Sequence, residues 1–384
     1  MLEISCIEDR TRLSELASEW NPLLQRSRSD SIFMTWEFMD TWWDVYGERF
    51  SPLVLVARDR DRVCGVAPLM VSRGEGPVGS QLRCLEYCGQ GTDVTPEHMD
   101  FFVQPGREDE ITTAFCHHLL RDKRSRWDWL NLKFMLTSSP NFQSLLRAFK
   151  RAGIRLEVTE ELPCPFVQTQ DMTWPEFLAR KSRNFRKHLR NMKRRLRRLG
   201  DVCLRLVGQH LDLDRAFDRL VELNRSRWGE AGESFRSTDY TRFHRQLCRR
   251  FLDRGWLLLS ELHVGGTAVA SQYDFCYGGK IWGNQGGWRP DWATLRVGNI
   301  MLGEIVALTM ELGYREYDFL GGDDEYKRRW STHSRRAVFL QGSNTNPRGM
   351  LHRLGCEGKR WLREHLSRRR IEQLKRVRDL WARP

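Results

Sequence analysis

The run YREYDFLGG at 314–322 sets Asp318 among aromatic and apolar residues, in a segment that reads as a strand ending at Gly321-Gly322. A carboxylate at the end of a buried strand needs a partner or a task. It is either a base that orients or deprotonates a nucleophile, or a structural Asp capping N–H groups at the glycine turn. The next segment, DDEYKRRW, reads as a short helix with acids in its first turn and bases in its last, as the helix dipole favours. It brings Tyr326 and Lys327 to the same strand end, where a phenol can protonate a leaving thiolate and a lysine can hold an anion. Upstream, the loop GGWRPDWATLRVGN carries Arg289, Arg296 and Gly298 directly after a strand. Free N–H groups at a helix start, a glycine that lets an anion approach, and two arginines make a phosphate cradle; the alternative is an ordinary polar connection.

The elements that must position these groups follow from periodicity. Met301, Ile305, Leu308 and Leu312 form one stripe, and Gly313 stands just beyond, so a helix is expected from Asn299 to Leu312. Before the loop, KIWGNQGGW reads as a strand, and WLLLSELHVGGTAVASQYDFCYGG as a hairpin turning at Gly265-Gly266. Helices are expected over 212–228 and 238–254, and a strand at AVFLQG. The first half runs in the same order. A helix over 30–50, capped by Asp30 or Ser31, precedes a hairpin of 53–57 with 63–71. Strands follow at 82–88, 99–103 and 127–134, with helices at 108–121 and 141–152. LVLVARDRDRVCGVAPLMV matches LLLSELHVGGTAVASQYDF, and RWDWLNLKF matches YREYDFLGG, which implies a tandem duplication with a boundary near ELPCPF at 161–166.

Composition bounds the function. The 384 residues, 40% hydrophobic and 29% charged, are globular values for about two domains. No apolar run approaches the ~18 residues of a membrane helix, and the N-terminus lacks the basic and apolar regions of a signal peptide, so a cytoplasmic location is expected. The ten cysteines form no Cys-x-x-Cys pair. Cys84, Cys88, His98, Cys116, His117 and His118 come nearest to a metal cluster, but the spacing suits buried thiols better, and no metal is expected. The net charge of +13 is local: residues 180–199 carry eleven Lys/Arg and no acid, residues 352–384 eleven against four acids, and the remainder is mildly acidic. In the first stripe Phe185, Leu189, Met192, Leu196 and Leu199 fall on one helical face, and aromatics for base stacking are nearly missing. The second, with Trp361, Leu362, Leu366, Ile371, Leu374, Val377 and Leu380, reads as an amphipathic helix for the body, a partner or an anionic membrane surface.

Three motifs carry a resemblance: Y-D-F-L-G-G-x-x-x-Y-K-x-x-W at 317–330, S-R-N-F-R-K-x-L-R at 182–190 and R-S-R-W-G-E-x-G at 225–232. Over residues 30–345 the chain resembles GNAT-superfamily acyltransferases of the cellulose biosynthesis protein CelD type and, more distantly, the Fem peptidoglycan-bridge transferases. The resemblance implies an α/β fold of tandem GNAT-like domains with strongly twisted mixed sheets: a degenerate domain at 1–163, a catalytic one at 164–345 and a basic helical tail at 346–384. It implies acetyl-CoA or a longer acyl-CoA bound by Asn284, Gln285, Gly286, Arg289, Arg296, Gly298 and Asn299, with backbone amides at 284–286 polarising the carbonyl. The R/Q-x-x-G-x-G/A signature is replaced by LRVGNIML, with one glycine. Asp318 is then the base, Tyr326 the acid and Lys327 an anion holder, while Arg183, Arg186, Arg227, Trp228 and Tyr273 face the acceptor.

The expected activity is N-acyl transfer to an amino sugar or related precursor of an envelope or extracellular polysaccharide, possible only at the cost of deprotonating an amine and stabilising an oxyanion and a thiolate. The competing readings are a Fem-like transfer from aminoacyl-tRNA, with the basic helix as RNA contact, and a non-catalytic nucleic-acid or membrane-surface binder on the same fold. A peripheral contact of the tail at the inner membrane face accompanies the leading reading.

Overall fold

The first half begins with β1 (Leu2–Ile7), α1 (Arg10–Ser14) and α2 (Ala17–Arg26), and the aromatic helix α3 (Trp36–Tyr46) follows. The computed structural model describes residues 2–75, 81–229 and 234–365. α3 starts later than expected: Ser31 caps only a 3-10 turn over Ile32–Met34, and Thr35 is the N-cap, its hydroxyl accepting from the Phe38 N–H. Next come β2 (Ser51–Pro52), β3 (Val54–Asp59), β4 (Arg62–Ala67) and β5 (Leu69–Glu75). The single strand expected over 63–71 is divided at Pro68, which has no N–H for a ladder. β4 stays beside β3 in a four-stranded sheet, while β5 joins a sheet of eleven. β6 (Gln81–Tyr87), β7 (Phe102–Val103), α4 (Glu108–Arg121), β8 (Trp129–Leu136), α5 (Pro140–Arg151) and β9 (Glu157–Gln168) complete this half.

The second half contains α6 (Trp174–Arg180), α7 (Arg183–Arg197), β10 (Val202–Leu206), α8 (Leu213–Trp228), α9 (Thr238–Asp253), β11 (Leu257–Val264) and β12 (Thr267–Tyr277). The β11–β12 turn falls on Gly265 and Gly266, at φ 54° and 82°, the left-handed region glycine enters without strain. Then follow β13 (Lys280–Trp288), α10 (Val297–Glu311), β14 (Glu316–Asp318), α11 (Glu325–Trp330), β15 (His333–Ser343) and α12 (Pro347–His365). Among the described residues no helix is long and apolar enough to cross a membrane. The expected amphipathic tail beyond 365, and Glu230 and Gly232 of the 225–232 motif, lie outside the described residues.

The sheets are order β1-β3-β4-β7 and β10-β11-β12-β13-β14-β9-β15-β8-β6-β5-β2. Each half supplies a parallel pair, β6 with β8 and β13 with β14. The terminal strands are exchanged. β9, from the first half, pairs with β14, and β15, from the second, pairs with β8; β9 and β15 then pair with each other from His333↔Phe166 to Gln341↔Glu157. The boundary placed at 163/164 therefore falls inside β9.

The core is shared as well. Phe33 meets Phe275 at 6.1 Å and Trp282 at 6.0 Å between ring centroids, and Phe38 meets Phe243 at 5.3 Å. Arg250 pairs with Asp44 at 2.9 Å and Arg254 with Glu37 at 2.6 Å, clamping α9 onto α3. α8 lies so close on β13 that a Cβ at Gly287 would stand 2.2 Å from the Asn224 nitrogen. Only glycine allows that approach.

Candidate active site

β13 and β14 run parallel and hydrogen-bonded only from Lys280↔Glu316 to Trp282↔Asp318; beyond that β14 ends and β13 continues to Trp288 paired with β12 on its other edge. A β-bulge widens the split. Tyr273 faces Gln285 and Asp274 faces Gly283, so Asn284 is the extra residue. The result is a cavity of about 540 Å³ between β13, the start of α10, the turn after β14, α11, the end of α8 and the first-half loop holding Thr95 and Glu97. A neighbouring groove of about 850 Å³ runs along α7 and shares Arg296 and Asn299 with it.

Ten of the expected residues meet in this cavity: Asn284, Gln285, Gly286, Arg296, Gly298, Asn299, Arg227, Trp228, Tyr326 and Lys327. Five do not. Tyr273 points to the other face of β12, fully buried, its hydroxyl 3.4 Å from His244 Nδ1. Arg186 donates to the carbonyls of Leu178 and Ala179 at the end of α6, and Arg183 sits with it on the first turn of α7, away from the lining. Arg289 is exposed and spent on Asp291 at 3.1 Å.

Asp318 is the fifth. It has no exposure; its Oδ1 accepts the Leu320 N–H at 2.8 Å, and its Oδ2 has no hydrogen-bond partner, with Arg335 at 3.6 Å and His98 at 3.7 Å. Leu320 adopts φ 60°, costly for a branched side chain, and the Asp318 carboxylate holds that turn. Burial, opposed by Arg335, raises the Asp318 pKa. The capping alternative describes this geometry, because the carboxylate is beneath the cavity floor and shapes the turn that presents Gly321.

Two further details bear on the residues expected to hold the donor. A Cβ at Gly298 would come within 2.9 Å of the Trp288 ring, so this glycine serves close packing on Trp288. Arg296 is the N-cap of α10 at φ 58° and offers no side-chain cap; the Asn299 N–H turns back to the Arg296 carbonyl, leaving those of Val297 and Gly298 beside a guanidinium. At the bulge the Asn284 N–H bonds to the Asp274 carboxylate, so it is not available to polarise a carbonyl. The Asn284 side-chain nitrogen, by contrast, is buried without a partner and lines the cavity. An unsatisfied buried donor costs about 1–3 kcal/mol until something accepts from it.

Arg227 donates to the Gly286 carbonyl at 3.2 Å and stacks 3.7 Å over Trp288; burial lowers its pKa to about 10. Burial, with Asp324 and Asp274 adding, pushes the Tyr326 phenol up to about 12. It therefore keeps its proton throughout the physiological range.

Sequence reasoning missed Glu97 and Gln272, which line the cavity, and Asp274, buried below it. Glu97 is the one acidic side chain among the described lining residues, and its Oε2 accepts the Gly321 N–H at 2.5 Å. Glu97, His98 and Cys164 bring a carboxylate, an imidazole and a thiol within 4.8 Å of one another. The set does not suit a cation: one oxygen of the carboxylate is held by Gly321, and the positive charges of Arg335 and Lys327 act on the same place.

Residues 183–328 match the model of the acetyltransferase (GNAT) domain. No curated protein matches the chain. Among solved structures, FemX shares the fold at TM-score 0.61 and 12% identity, over 88% of this chain and 96% of that one. The C-terminal domain of a putative lysylphosphatidylglycerol synthetase from Agrobacterium fabrum gives 0.52 and 12%, over 88% and 94%. A protein of unknown function from Bacteroides thetaiotaomicron gives 0.53 and 10%, over 89% and 100%. The fold is thus mixed α/β, shared with these structures, and residues 183–328 resemble a GNAT-type acetyltransferase domain.

Proposed function

We propose that the protein is an acyl-CoA-dependent N-acyltransferase whose donor lies in the split between β13 and β14 and whose amine acceptor enters from the first-half side. The observation that carries this reading is the split itself: a bulged strand with an unpartnered Asn284 amide, ending beside a helix N-terminus guarded by Arg296. The Asn284 side-chain amide would donate to the thioester carbonyl, and Arg296 and the first turn of α10 would hold the pyrophosphate. Tyr326 would stand by the leaving sulfur and Lys327 by the turn at Gly321. GNAT domains generally use acyl-CoA. The CelD-type resemblance supports an amino-sugar or related precursor of an envelope or extracellular polysaccharide as acceptor, handled in the cytoplasm.

One observation favours a second reading, transfer from aminoacyl-tRNA. The groove beside α7 continues the cavity, and Arg183, Arg190, Arg195 and Arg197 on α7, with Arg198 at its C-cap, have no carboxylate partner among the described residues. A thermal-shift series with acetyl-CoA, longer acyl-CoAs, free coenzyme A and aminoacyl-tRNA separates the two. At 100 times its Kd a ligand of the folded state adds about 2.7 kcal/mol. We expect acyl-CoA to raise Tm, and Arg296→Ala to reduce that rise at equal ligand. Stabilisation by aminoacyl-tRNA with none by any coenzyme A species would promote the second reading.

A further inference from the structure

We infer that Glu97, carried by the half without the donor site, is the general base that takes the proton from the acceptor amine. This rests on the acyltransfer reading above and deepens it. The inference starts from position. Of all described residues lining the cavity, Glu97 is the only carboxylate, and it reaches the lining from the loop between β6 and β7, on the wall facing the second half. Asp318, the carboxylate the sequence favoured, is sealed below and occupied by Leu320. Asp274 is likewise fully buried, bonded by Gln272 at 2.8 Å.

The surroundings hold Glu97 in place and leave one oxygen free to act. Gly321 N–H donates to Oε2, and a Cβ at Gly321 would stand 3.0 Å from the same oxygen, so the turn after β14 is shaped around this carboxylate. Asp318 and Lys327 brace that turn, the first through Leu320 N–H and the second through the Gly321 carbonyl. The groups facing Glu97 are Lys327 from α11, Asp318 from β14, Cys164 from β9 and His98 from its own loop, with Arg335 of β15 behind them. Burial dominates and raises the Glu97 pKa to about 7; Gly321 and Lys327 oppose it, and Asp318 adds to it. His98 is held neutral by burial. A carboxylate poised there ionises near neutrality and is a stronger base than an exposed one.

The step balances without another reagent. The amine nitrogen gives a proton to Glu97 and its lone pair forms the C–N bond at the thioester carbonyl. The C–S bond then breaks, and the thiolate departs hydrogen-bonded to Tyr326. Glu97 returns its proton to water and the thiolate takes one from water, so acyl thioester and amine become amide and thiol. The acceptor class is a primary amine presented from the face between the two halves.

The test is thiol release from acetyl-CoA with a panel of primary amines, glucosamine included, from pH 5.5 to 8.5. In the wild type kcat should rise through a limb near pH 7, because the base works only when ionised. Glu97→Gln keeps an acceptor for Gly321 N–H, and we expect kcat to fall about 10²-fold or more with donor affinity unchanged and that limb lost. A limb that persists in Glu97→Gln belongs to the amine and counts against the base. Lys327→Met removes a charge that favours ionised Glu97 and should move the limb to higher pH. A Glu97→Gln enzyme within threefold of wild type, or a wild-type rate flat across this range, overturns the assignment while leaving the acyltransfer reading standing. No thiol release by wild type with any donor and amine defeats that reading, and this one with it.

Discussion

Cutting the chain between 163 and 164 is expected to leave neither piece with a cooperative melt. The second piece would keep the β9 residues paired with β14 but lose those from Glu157 to Pro163, the partners of Arg336 to Gln341 in β15, and β15 would also lose β8 on its other side. The core contacts go with them. Phe33 and Phe38 from one side and Phe243, Phe275 and Trp282 from the other are all buried by this junction. Each such side chain is worth roughly 1.5–3 kcal/mol, and a whole protein has only about 5–15 kcal/mol of net stability. Exposing several at once exceeds that margin. Calorimetry of residues 164–384 alone checks this. A single cooperative transition with coenzyme A binding intact would mean that the second half is a self-sufficient domain and that the exchanged strands are dispensable.

Tyr326→Phe is expected to lower kcat about 10²-fold while leaving donor affinity close to wild type. The loss expected for one donor aimed at developing charge is about 10²–10³. With its pKa near 12, the phenol is protonated at every working pH. That same shift makes full transfer to a thiolate, whose thiol has a pKa near 8.5, unfavourable. On the acyltransfer reading Tyr326 would therefore serve as a hydrogen-bond donor to the leaving sulfur, and the thiolate would draw its proton from water. The sign for pH follows: an alkaline limb from Tyr326 would appear only as pH approaches about 12, so any fall in rate near pH 9 has another origin. Equal kcat for the phenylalanine variant, with an acceptor of proven turnover, would make Tyr326 a wall residue.

The elements around the cavity in the second half were legible in the sequence because their signals are local. The stripe from Met301 to Leu308 and Gly313 beyond it defined α10 nearly to its ends, and Gly265-Gly266 defined the β11–β12 turn. The break at Pro68 is masked in the sequence by the apolar alternation that runs on through both β4 and β5. The exchange of β9 and β15 left no local mark, because strand partners are chosen by long-range pairing and not by the residues of either strand alone. Asp318 misled for the opposite reason: its setting in an apolar strand was read correctly as demanding a partner, and the partner was Leu320 N–H two residues away. Glu97 stood in the polar run TPEHMD of a half that seemed silent, so nothing in its own neighbourhood linked it to Gly321, 224 positions further along.

The central claim is that an acyl thioester lies in the split between β13 and β14. A crystal structure with a non-hydrolysable thioether analogue of acetyl-CoA tests it most directly. The account predicts the acyl carbonyl accepting from the Asn284 side-chain amide, the sulfur beside the Tyr326 hydroxyl, the pyrophosphate against Arg296 and the first turn of α10, and Glu97 facing the acyl carbon across the cavity. An analogue bound in the first half, or along β13 with the Asn284 nitrogen still unpartnered, would contradict it.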